Sequence, residues 1–206
     1  MVAERDRAVA RLLGQAGLVP LTGRRVLDVG CGFGHELAGM CRLGARAEDL
    51  VGVDLVPERV ERARHSFPTI DFRVGSAVAL GLDDASVDVV LCYTLFSSIL
   101  DRPTAGRVAA EIDRVLRPGG AVAWYDLRYP SVQNRNVRAV RADEVRAMFP
   151  GLRASLSSVT LIPPLARRLG SLTPTAYPVL ARLAPLRSHL VGALVKPSPS
   201  ESSPSA

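Results

Sequence analysis

A short apolar run followed by a glycine-rich turn, residues 26–34 (VLDVGCGFG), constrains the fold of this chain more than any other feature. The run from 26 to 29 holds one acid among aliphatic residues, a pattern that predicts a buried parallel strand. Alternating glycines in the turn permit positive φ angles and a close approach of the backbone to a ligand. Residues 35–43 have the apolar spacing of a helix. The stretch therefore predicts a strand, a turn and a helix, with backbone N–H groups facing a ligand at the strand's carboxyl end.

An acid ends the second apolar run of the chain. Asp54 follows residues 50–53 and stands about twenty residues after the turn, where nucleotide-binding α/β folds place an acid against the two hydroxyls of a ribose. Two interpretations fit this spacing, a dinucleotide site and an S-adenosylmethionine site. The dinucleotide fingerprint needs a glycine where His35 stands, and it does not usually carry an acid inside the strand, as Asp28 does here. The S-adenosylmethionine interpretation is therefore favoured.

Five segments in succession closely resemble the motifs of class I S-adenosylmethionine-dependent methyltransferases. They are residues 27–34 (LDVGCGFG), 51–55 (VGVDL), 72–77 (FRVGSA), 87–92 (VDVVLC) and 115–121 (VLRPGGA). These segments stand in the family's order within a region of roughly residues 20–127. The resemblance implies an α/β, Rossmann-like fold with a seven-stranded, mostly parallel sheet and helices on both faces. It also implies an enzyme whose cofactor is S-adenosylmethionine.

The resemblance assigns roles at the cofactor site as well. Asp54 would hold the ribose hydroxyls, Leu55 would pack on the adenine, and Asp28 would anchor the amino group of the methionine part through water. Ser76 stands where the family often has an aspartate that meets the adenine amino group, and its hydroxyl can accept that bond only without charge assistance. The predicted cofactor-binding residues are Asp28, Gly30, Cys31, Gly32, Asp54, Leu55, Ser76, Ala77 and Cys92.

Polar and aromatic residues follow the predicted fourth and fifth strands, where ligands of open α/β sheets bind. The residues predicted to recognise the methyl acceptor are Tyr93, Tyr125, Arg128, Tyr129, Asn134 and Arg138. Asp126 is the predicted proton acceptor, and the alternative is that it only orients Arg128 or caps the loop. For Tyr93 the alternative to a wall of the site is packing in the core. The histidines His35, His65 and His189 are not predicted to act as bases.

The predicted domain covers residues 1–196, and one segment departs from the resembled family. Residues 163–188 repeat leucine, proline and arginine in a pattern that predicts two short amphipathic helices before the last strand. This insertion is interpreted first as a lid over the acceptor, with a dimer contact or a peripheral membrane contact as alternatives. Residues 197–206, rich in serine and proline, predict a disordered tail.

The net charge of +6 is distributed unevenly along the chain. Residues 1–126 carry 15 arginines against 17 acids, whereas residues 127–196 carry 10 arginines and one lysine against two acids. This excess of positive charge indicates an anionic substrate or surface, and a solvated arginine-rich face is the alternative. A nucleic-acid substrate is disfavoured, because no accessory RNA- or DNA-binding module is recognisable.

Compartment and metal binding follow from the remaining composition. No apolar stretch approaches the length of a membrane span, and the charged N-terminus lacks the apolar core of a signal peptide. Three scattered cysteines predict reduced thiols in a cytoplasmic protein. Cys31 and His35 lie four residues apart, but a turn residue beside a surface histidine is the favoured interpretation, so no metal site is predicted.

The predicted reaction is methyl transfer to a small-molecule or glycan-like acceptor that carries negative charge, at oxygen rather than at nitrogen or carbon. A sulfonium methyl group is already electrophilic, so orientation supplies much of the rate and a base is needed only for a weakly acidic acceptor. This explains why the sequence shows no evident catalytic constellation. The alternatives are a noncatalytic S-adenosylmethionine-binding module of the same fold and, less favoured, a nicotinamide-dependent reductase.

Overall fold

The computed structural model describes residues 2–130, 134–161 and 187–198. Within these residues seven strands form one sheet: β1 (Val26–Val29), β2 (Leu50–Asp54), β3 (Asp71–Val74), β4 (Val87–Tyr93), β5 (Leu116–Leu127), β6 (Arg153–Leu161) and β7 (Arg187–Val195). The α-helices are α1 (Val2–Gln15), α2 (His35–Gly39), α3 (Pro57–Ser66), α4 (Arg102–Val115) and α5 (Ala142–Met148). Three short 3-10 helices cover Met40–Leu43, Ala47–Asp49 and Phe96–Ser98.

The strands are arranged in the order β3-β2-β1-β4-β5-β7-β6. Strands β1 to β5 run parallel to one another, whereas β7 runs antiparallel to both β5 and β6. The predicted seven-stranded, mostly parallel sheet is confirmed. Because β1 to β5 are parallel, their carboxyl ends lie along one edge of the sheet, which is where ligands bind in open α/β folds.

Two apolar cores sandwich the sheet, as the alternation of strand side chains requires. In β1, Leu27 and Val29 pack in the core with α4 and α5, whereas Val26 packs in the core with α1, α2 and α3. All four residues of β1 are buried, which explains why the strand is almost uniformly apolar. On the α4 side, Trp124 stacks on Phe96 with ring centroids 4.9 Å apart.

Several element boundaries differ from the predicted ones. The helix after the glycine turn is α-helical only to Gly39 and continues as a 3-10 helix to Leu43, ending at Gly44 in the left-handed region (φ 93°). Strand β5 begins at Leu116, so it includes most of the segment 115–121, and its register against β4 has an irregularity. Strand β7 begins at Arg187, which pairs with Leu161, so residues 187–188 belong to the sheet rather than to the predicted insertion.

Parts of two predicted segments lie outside the described residues. These are residues 163–186 of the predicted insertion and residues 199–206 of the predicted tail. Among the described residues, none of the helices combines the length and the apolar character needed to cross a membrane.

Candidate functional site

A cavity of about 400 Å³ opens at the carboxyl ends of the parallel strands. We call it the strand-end cavity. Its lining includes six of the predicted site residues: Gly30, Asp54, Leu55, Ser76, Ala77 and Tyr93. These residues come from four different strands or the turns that follow them, and only the parallel order of β1, β2, β3 and β4 brings them together.

The glycine turn combines tight packing on one side with open space on the other. A Cβ atom at Gly34 (φ 81°) would lie 2.5 Å from the ring of Phe72, so packing requires glycine there. At Gly32 (φ 53°) a Cβ would meet nothing within 4 Å. The turn is fastened to β2 because the N–H groups of Gly30 and Cys31 both donate to the carbonyl of Val53, at 2.7 and 3.1 Å. The backbone is thus held rigidly beside space that a ligand can occupy.

Asp54 lies at the carboxyl end of β2 and is 5% exposed. Its Oδ2 accepts a hydrogen bond from the N–H of Gly32 at 2.8 Å, and its Oδ1 accepts one from the N–H of Val56 at 2.9 Å. An ionised carboxylate has about four lone-pair sites. The two backbone bonds therefore fix the orientation of the group and leave acceptor capacity for a pair of hydroxyls.

The rim of the cavity presents apolar surface beside a small hydroxyl. Leu55 is 72% exposed, which is unusual for so large an apolar side chain and provides a face for a flat ring. Ser76 and Ala77 follow β3 on the same cavity. The N–H of Val78 donates to the Ser76 hydroxyl oxygen in a long hydrogen bond of 3.4 Å. This surface suits an adenine, with Ser76 supplying a neutral polar contact.

Asp28 lies on the other side of the glycine turn, on the face of the sheet that carries α1 and α2. Burial, together with the nearby negative charges of Glu36 and Asp54, raises the pKa of Asp28 to about 8, and the positive charge of Arg5 opposes that rise. A positive charge close to Asp28 therefore favours the ionised form of its carboxyl group.

Arg5 was not among the predicted site residues, although it joins several of them. Its guanidinium lies 4.8 Å from the ring centroid of Tyr93 and 5.5 Å from that of Tyr125, and it forms an ion pair with Glu36. The sequence did carry a signal, since Arg5 stands four residues before the buried Val9 and thus on the apolar face of α1. An arginine on such a face needs a buried partner.

Tyr93 and Tyr125 pack edge to face with centroids 6.1 Å apart, and His189 stacks on Tyr125 at 4.6 Å. The Tyr93 hydroxyl is buried and has no hydrogen-bond partner among the described residues. Burial raises the pKa of Tyr93, and burial together with Arg5 lowers the pKa of His189 to about 4, so both rings are uncharged near neutral pH. Both tyrosines therefore lie in the core, and Tyr93 also lines the strand-end cavity, which combines the two interpretations of that residue.

Asp126 is fully buried beneath the segment that follows β4. Its Oδ2 accepts from the N–H of Ser97 at 3.0 Å, and its Oδ1 accepts from the N–H of Leu127 at 2.7 Å. Burial raises the pKa of Asp126, and the hydrogen bonds oppose that rise. These contacts make Asp126 a support for the 3-10 helix Phe96–Ser98, whereas the predicted alternatives to a base are that it orients Arg128 or caps the loop after β5.

The two predicted cysteines are buried, and neither lines the strand-end cavity. Cys92 packs among the apolar side chains of the α4 core, and Cys31 packs in the core that contains α1. Burial raises the pKa of both thiols, so neither is a thiolate near neutral pH. Contacts from these positions to a cofactor would come from the backbone rather than from sulfur.

The remaining predicted acceptor residues divide between a second cavity and the adjoining loop. Arg128 and Tyr129 line a cavity of about 640 Å³ together with Arg141, Ser157 and Ser158. The guanidinium of Arg128 lies 5.1 Å from the ring centroid of Tyr129. The lining of this cavity thus contains two guanidinium groups, two serine hydroxyls and the phenol of Tyr129.

The loop residues Asn134 and Arg138 make contacts within the protein. Asn134 accepts a hydrogen bond from the N–H of Asn136 at 2.9 Å. Arg138 donates to the carbonyl of Ile99 at 2.8 Å and forms an ion pair with Glu144. Arg138 therefore ties the loop to the end of the 3-10 helix and to α5.

Known proteins that are similar to this chain include several methyltransferases. The family model described as "Methyltransferase domain" matches residues 26–120. The chain is 36% identical over 118 residues to the phthiotriol/phenolphthiotriol dimycocerosates methyltransferase of Mycobacterium leprae, covering 53% of this chain and 40% of that protein. It is 36% identical over 145 residues to the ubiquinone biosynthesis O-methyltransferase of Paracidovorax citrulli, covering 65% and 56%. The chain thus spans about half the length of these curated relatives.

A solved structure extends the likeness over almost the whole chain. The SAM-dependent methyltransferase of Archaeoglobus fulgidus superposes with a TM-score of 0.68 at 15% identity, over 93% of this chain and 94% of that one. At that identity the superposition shows the fold alone. The cavity, the glycine turn and the acid of β2 lie within the region that the family model matches.

Proposed function

We propose that this chain is a class I S-adenosylmethionine-dependent methyltransferase and that it transfers the methyl group of S-adenosylmethionine to a small-molecule or glycan-like acceptor. The observation that carries the proposal is the environment of Asp54. A single cavity combines its oriented carboxylate with the exposed face of Leu55 and the open side of the glycine turn. These are the groups that a ribose, an adenine and an amino-acid chain require.

Each group has a role in holding the cofactor. Asp54 would accept hydrogen bonds from the ribose hydroxyls, Leu55 and Ala77 would pack on the adenine, and Ser76 would meet its edge. Gly30 and Gly32 would allow close approach of the methionine part. S-adenosylmethionine supplies a methyl group on a sulfonium, which is already electrophilic. The chain's task is therefore to fix the donor and the acceptor in line and to keep water away.

The acceptor would lie over the carboxyl ends of β4 and β5, next to Tyr93 and Tyr125. We propose that an oxygen of the acceptor attacks the methyl carbon, with S-adenosylhomocysteine as the leaving group, and that the acceptor carries negative charge. The first point is supported by the similarity to a protein named as an O-methyltransferase. The second is supported by the cavity that Arg128 and Arg141 line, since two guanidinium groups attract an anion.

Asp126 as the base stays a prediction, and the backbone bonds to Ser97 and Leu127 support instead a role in fixing the wall of the site. An acceptor that is already ionised would need no base. This consideration agrees with an anionic acceptor.

A noncatalytic S-adenosylmethionine-binding module is the second candidate. It is favoured by the engaged carboxylate of Asp126 and by Ser76, which replaces a charged contact with a neutral one. It would share every cofactor contact named above and would differ only in lacking methyl transfer. The two candidates are therefore separated by activity, whereas binding tests both.

Calorimetric titration tests the proposal. We expect S-adenosylmethionine and S-adenosylhomocysteine to bind with micromolar affinity and NADH not to bind. Asp54→Ala should abolish binding, whereas Asp71→Ala, which removes an acid on the exposed edge of β3, should leave it unchanged. Binding of NADH alone would overturn the assignment.

Transfer of a labelled methyl group to a panel of anionic phenols, uronic acids and lipids would then distinguish the enzyme from the noncatalytic module. The same panel bears on the predicted lid or membrane contact of residues 163–188, most of which lie outside the described residues. A preference for lipid acceptors presented in vesicles over the same acceptors in solution would support a membrane contact.

A further inference from the structure

Arg5 of α1 is a charged residue that is buried between α1 and the sheet. Its side chain is 8% exposed, and its guanidinium faces the rings of Tyr93 and Tyr125. Tyr93 also lines the strand-end cavity. The guanidinium thus contacts a residue that lines the cavity. It also pairs with Glu36, in the first turn of the helix that follows the glycine turn.

The hydrogen bonds of Arg5 leave donor capacity. Its Nε and Nη2 donate to Asp6 Oδ1 at 3.0 and 2.8 Å, and its Nη1 donates to Glu36 Oε1 at 2.9 Å. Nη2 also contacts Glu36 Oε2. These bonds engage four of the five N–H groups that a guanidinium carries. Glu36 is itself 40% exposed, so this partner can move into solvent at little cost.

The charges around Arg5 match one kind of ligand. Burial and the negative charges of Glu36 and Asp54 raise the pKa of Asp28 near the turn, and the positive charge of Arg5 opposes that rise. His189, a basic side chain that stacks on Tyr125, is held neutral by burial and by Arg5. An α-amino acid presents one ammonium and one carboxylate side by side. The acids suit the ammonium, and Arg5 suits the carboxylate.

We propose that Arg5 recognises the carboxylate of the methionine part of the cofactor, an inference that rests on the proposed function. A guanidinium pairs with a carboxylate through two parallel hydrogen bonds, and such pairs are strong where water is excluded. Arg5 exchanges part of its contact with Glu36 for this bond. The rings of Tyr93 and Tyr125, which pack edge to face, hold the guanidinium in place before and after the exchange.

Three probes isolate the carboxylate. S-adenosylhomocysteine carries it, decarboxylated S-adenosylhomocysteine lacks it but keeps the amine, and methylthioadenosine lacks both. Calorimetry on the full chain should show the first binding most tightly. Arg5→Gln should weaken S-adenosylhomocysteine roughly 10- to 100-fold, as loss of a charged hydrogen bond predicts. The affinities for the other two should change by less than about threefold, so that S-adenosylhomocysteine loses its advantage.

The controls separate recognition from a structural role. Arg42→Gln removes a 71% exposed arginine that pairs with the same Asp6, and it should leave all three affinities unchanged. Thermal melting reports whether Arg5→Gln is folded. If it is not, Arg5→Lys replaces it, and we expect a smaller loss that is again confined to S-adenosylhomocysteine.

Two results would overturn the inference while leaving the proposed function intact. One is equal binding of S-adenosylhomocysteine and its decarboxylated form by the unaltered chain. The other is a loss in Arg5→Gln, or in Arg5→Lys where that variant is used, that is shared equally by all three probes. If none of the three probes binds the unaltered chain, the proposed function fails and the role of Arg5 fails with it.

Discussion

Asp54 Oδ2 lies 2.8 Å from the backbone nitrogen of Gly32, so the acid that ends β2 holds the glycine turn that follows β1. The second carboxylate oxygen holds Val56 at the start of the next helix in the same way. One side chain therefore fixes the two loops between which the strand-end cavity opens. Its roles in folding and in binding are linked, and variants of it must be designed to separate them.

Asp54→Asn should separate these roles better than Asp54→Ala. The amide keeps one oxygen that can accept from Val56 or Gly32, whereas alanine leaves both N–H groups without that partner. We expect Asp54→Asn to lower the free energy of unfolding by about 1 kcal/mol and Asp54→Ala by about 2–3 kcal/mol. Both should weaken S-adenosylhomocysteine at least about tenfold, because each loses the charged acceptor. Urea unfolding and calorimetry on the same samples measure the two effects, and unchanged binding in Asp54→Asn would contradict the ribose contact.

Gly32→Ala and Gly34→Ala form a matched pair within one turn. Both residues have positive φ, so each alanine bears a backbone cost of about 1–2 kcal/mol. The Cβ at Gly34 would in addition collide with Phe72, whereas the Cβ at Gly32 would point into open space. We therefore expect Gly34→Ala to be the less stable protein and Gly32→Ala to fold but bind the cofactor poorly. Urea midpoints and titration with S-adenosylhomocysteine test this, and tight binding by Gly32→Ala would show that the open space is not used.

The parts of the site that sequence predicts are those that short stretches encode. Gly30, Gly32 and Asp54 could be recognised because glycine has a distinctive conformational freedom and because parallel strands always bring their carboxyl ends together. The exposure of Leu55 follows from its position just after such a strand. These features can be predicted without knowing which residues far apart in the sequence are in contact.

What sequence could not predict depends on contacts across the chain. Arg5 bonds to Glu36 across 31 positions, and its place beside Tyr93 follows only once α1 is packed on the sheet. Asp126 looks like a free acid in the sequence, and its backbone partners emerge from the fold of the segment after β4. The early start of β7 at Arg187 likewise depends on pairing with β6.

Asp126→Asn tests whether this buried acid acts as a support or as a base. An amide has only one acceptor oxygen, so one of the N–H groups of Ser97 and Leu127 would face an NH₂ group instead. A support role predicts a loss of about 1–3 kcal/mol in the free energy of unfolding, with the shape of the pH–rate profile unchanged. A base role predicts a fall in kcat and loss of the decline in rate on the acidic side of the profile, without a comparable loss of stability. Urea unfolding and methyl-transfer rates at several pH values measure the two outcomes.

Asp28 should make the ligand-free protein less stable as pH rises. Its pKa is about 8 in the fold against an ordinary value of 3.8, so the folded chain keeps a proton that the unfolded chain has lost between those values. His189, with a pKa of about 4, has the opposite effect below pH 6.5, so the interval from 6.5 to 8 isolates Asp28. There we expect the free energy of unfolding to fall by up to about 1.4 kcal/mol per pH unit relative to Asp28→Asn. Urea midpoints across that interval measure the slope, with Asp71→Asn as the exposed control; parallel profiles for the unaltered chain and Asp28→Asn would exclude the raised pKa.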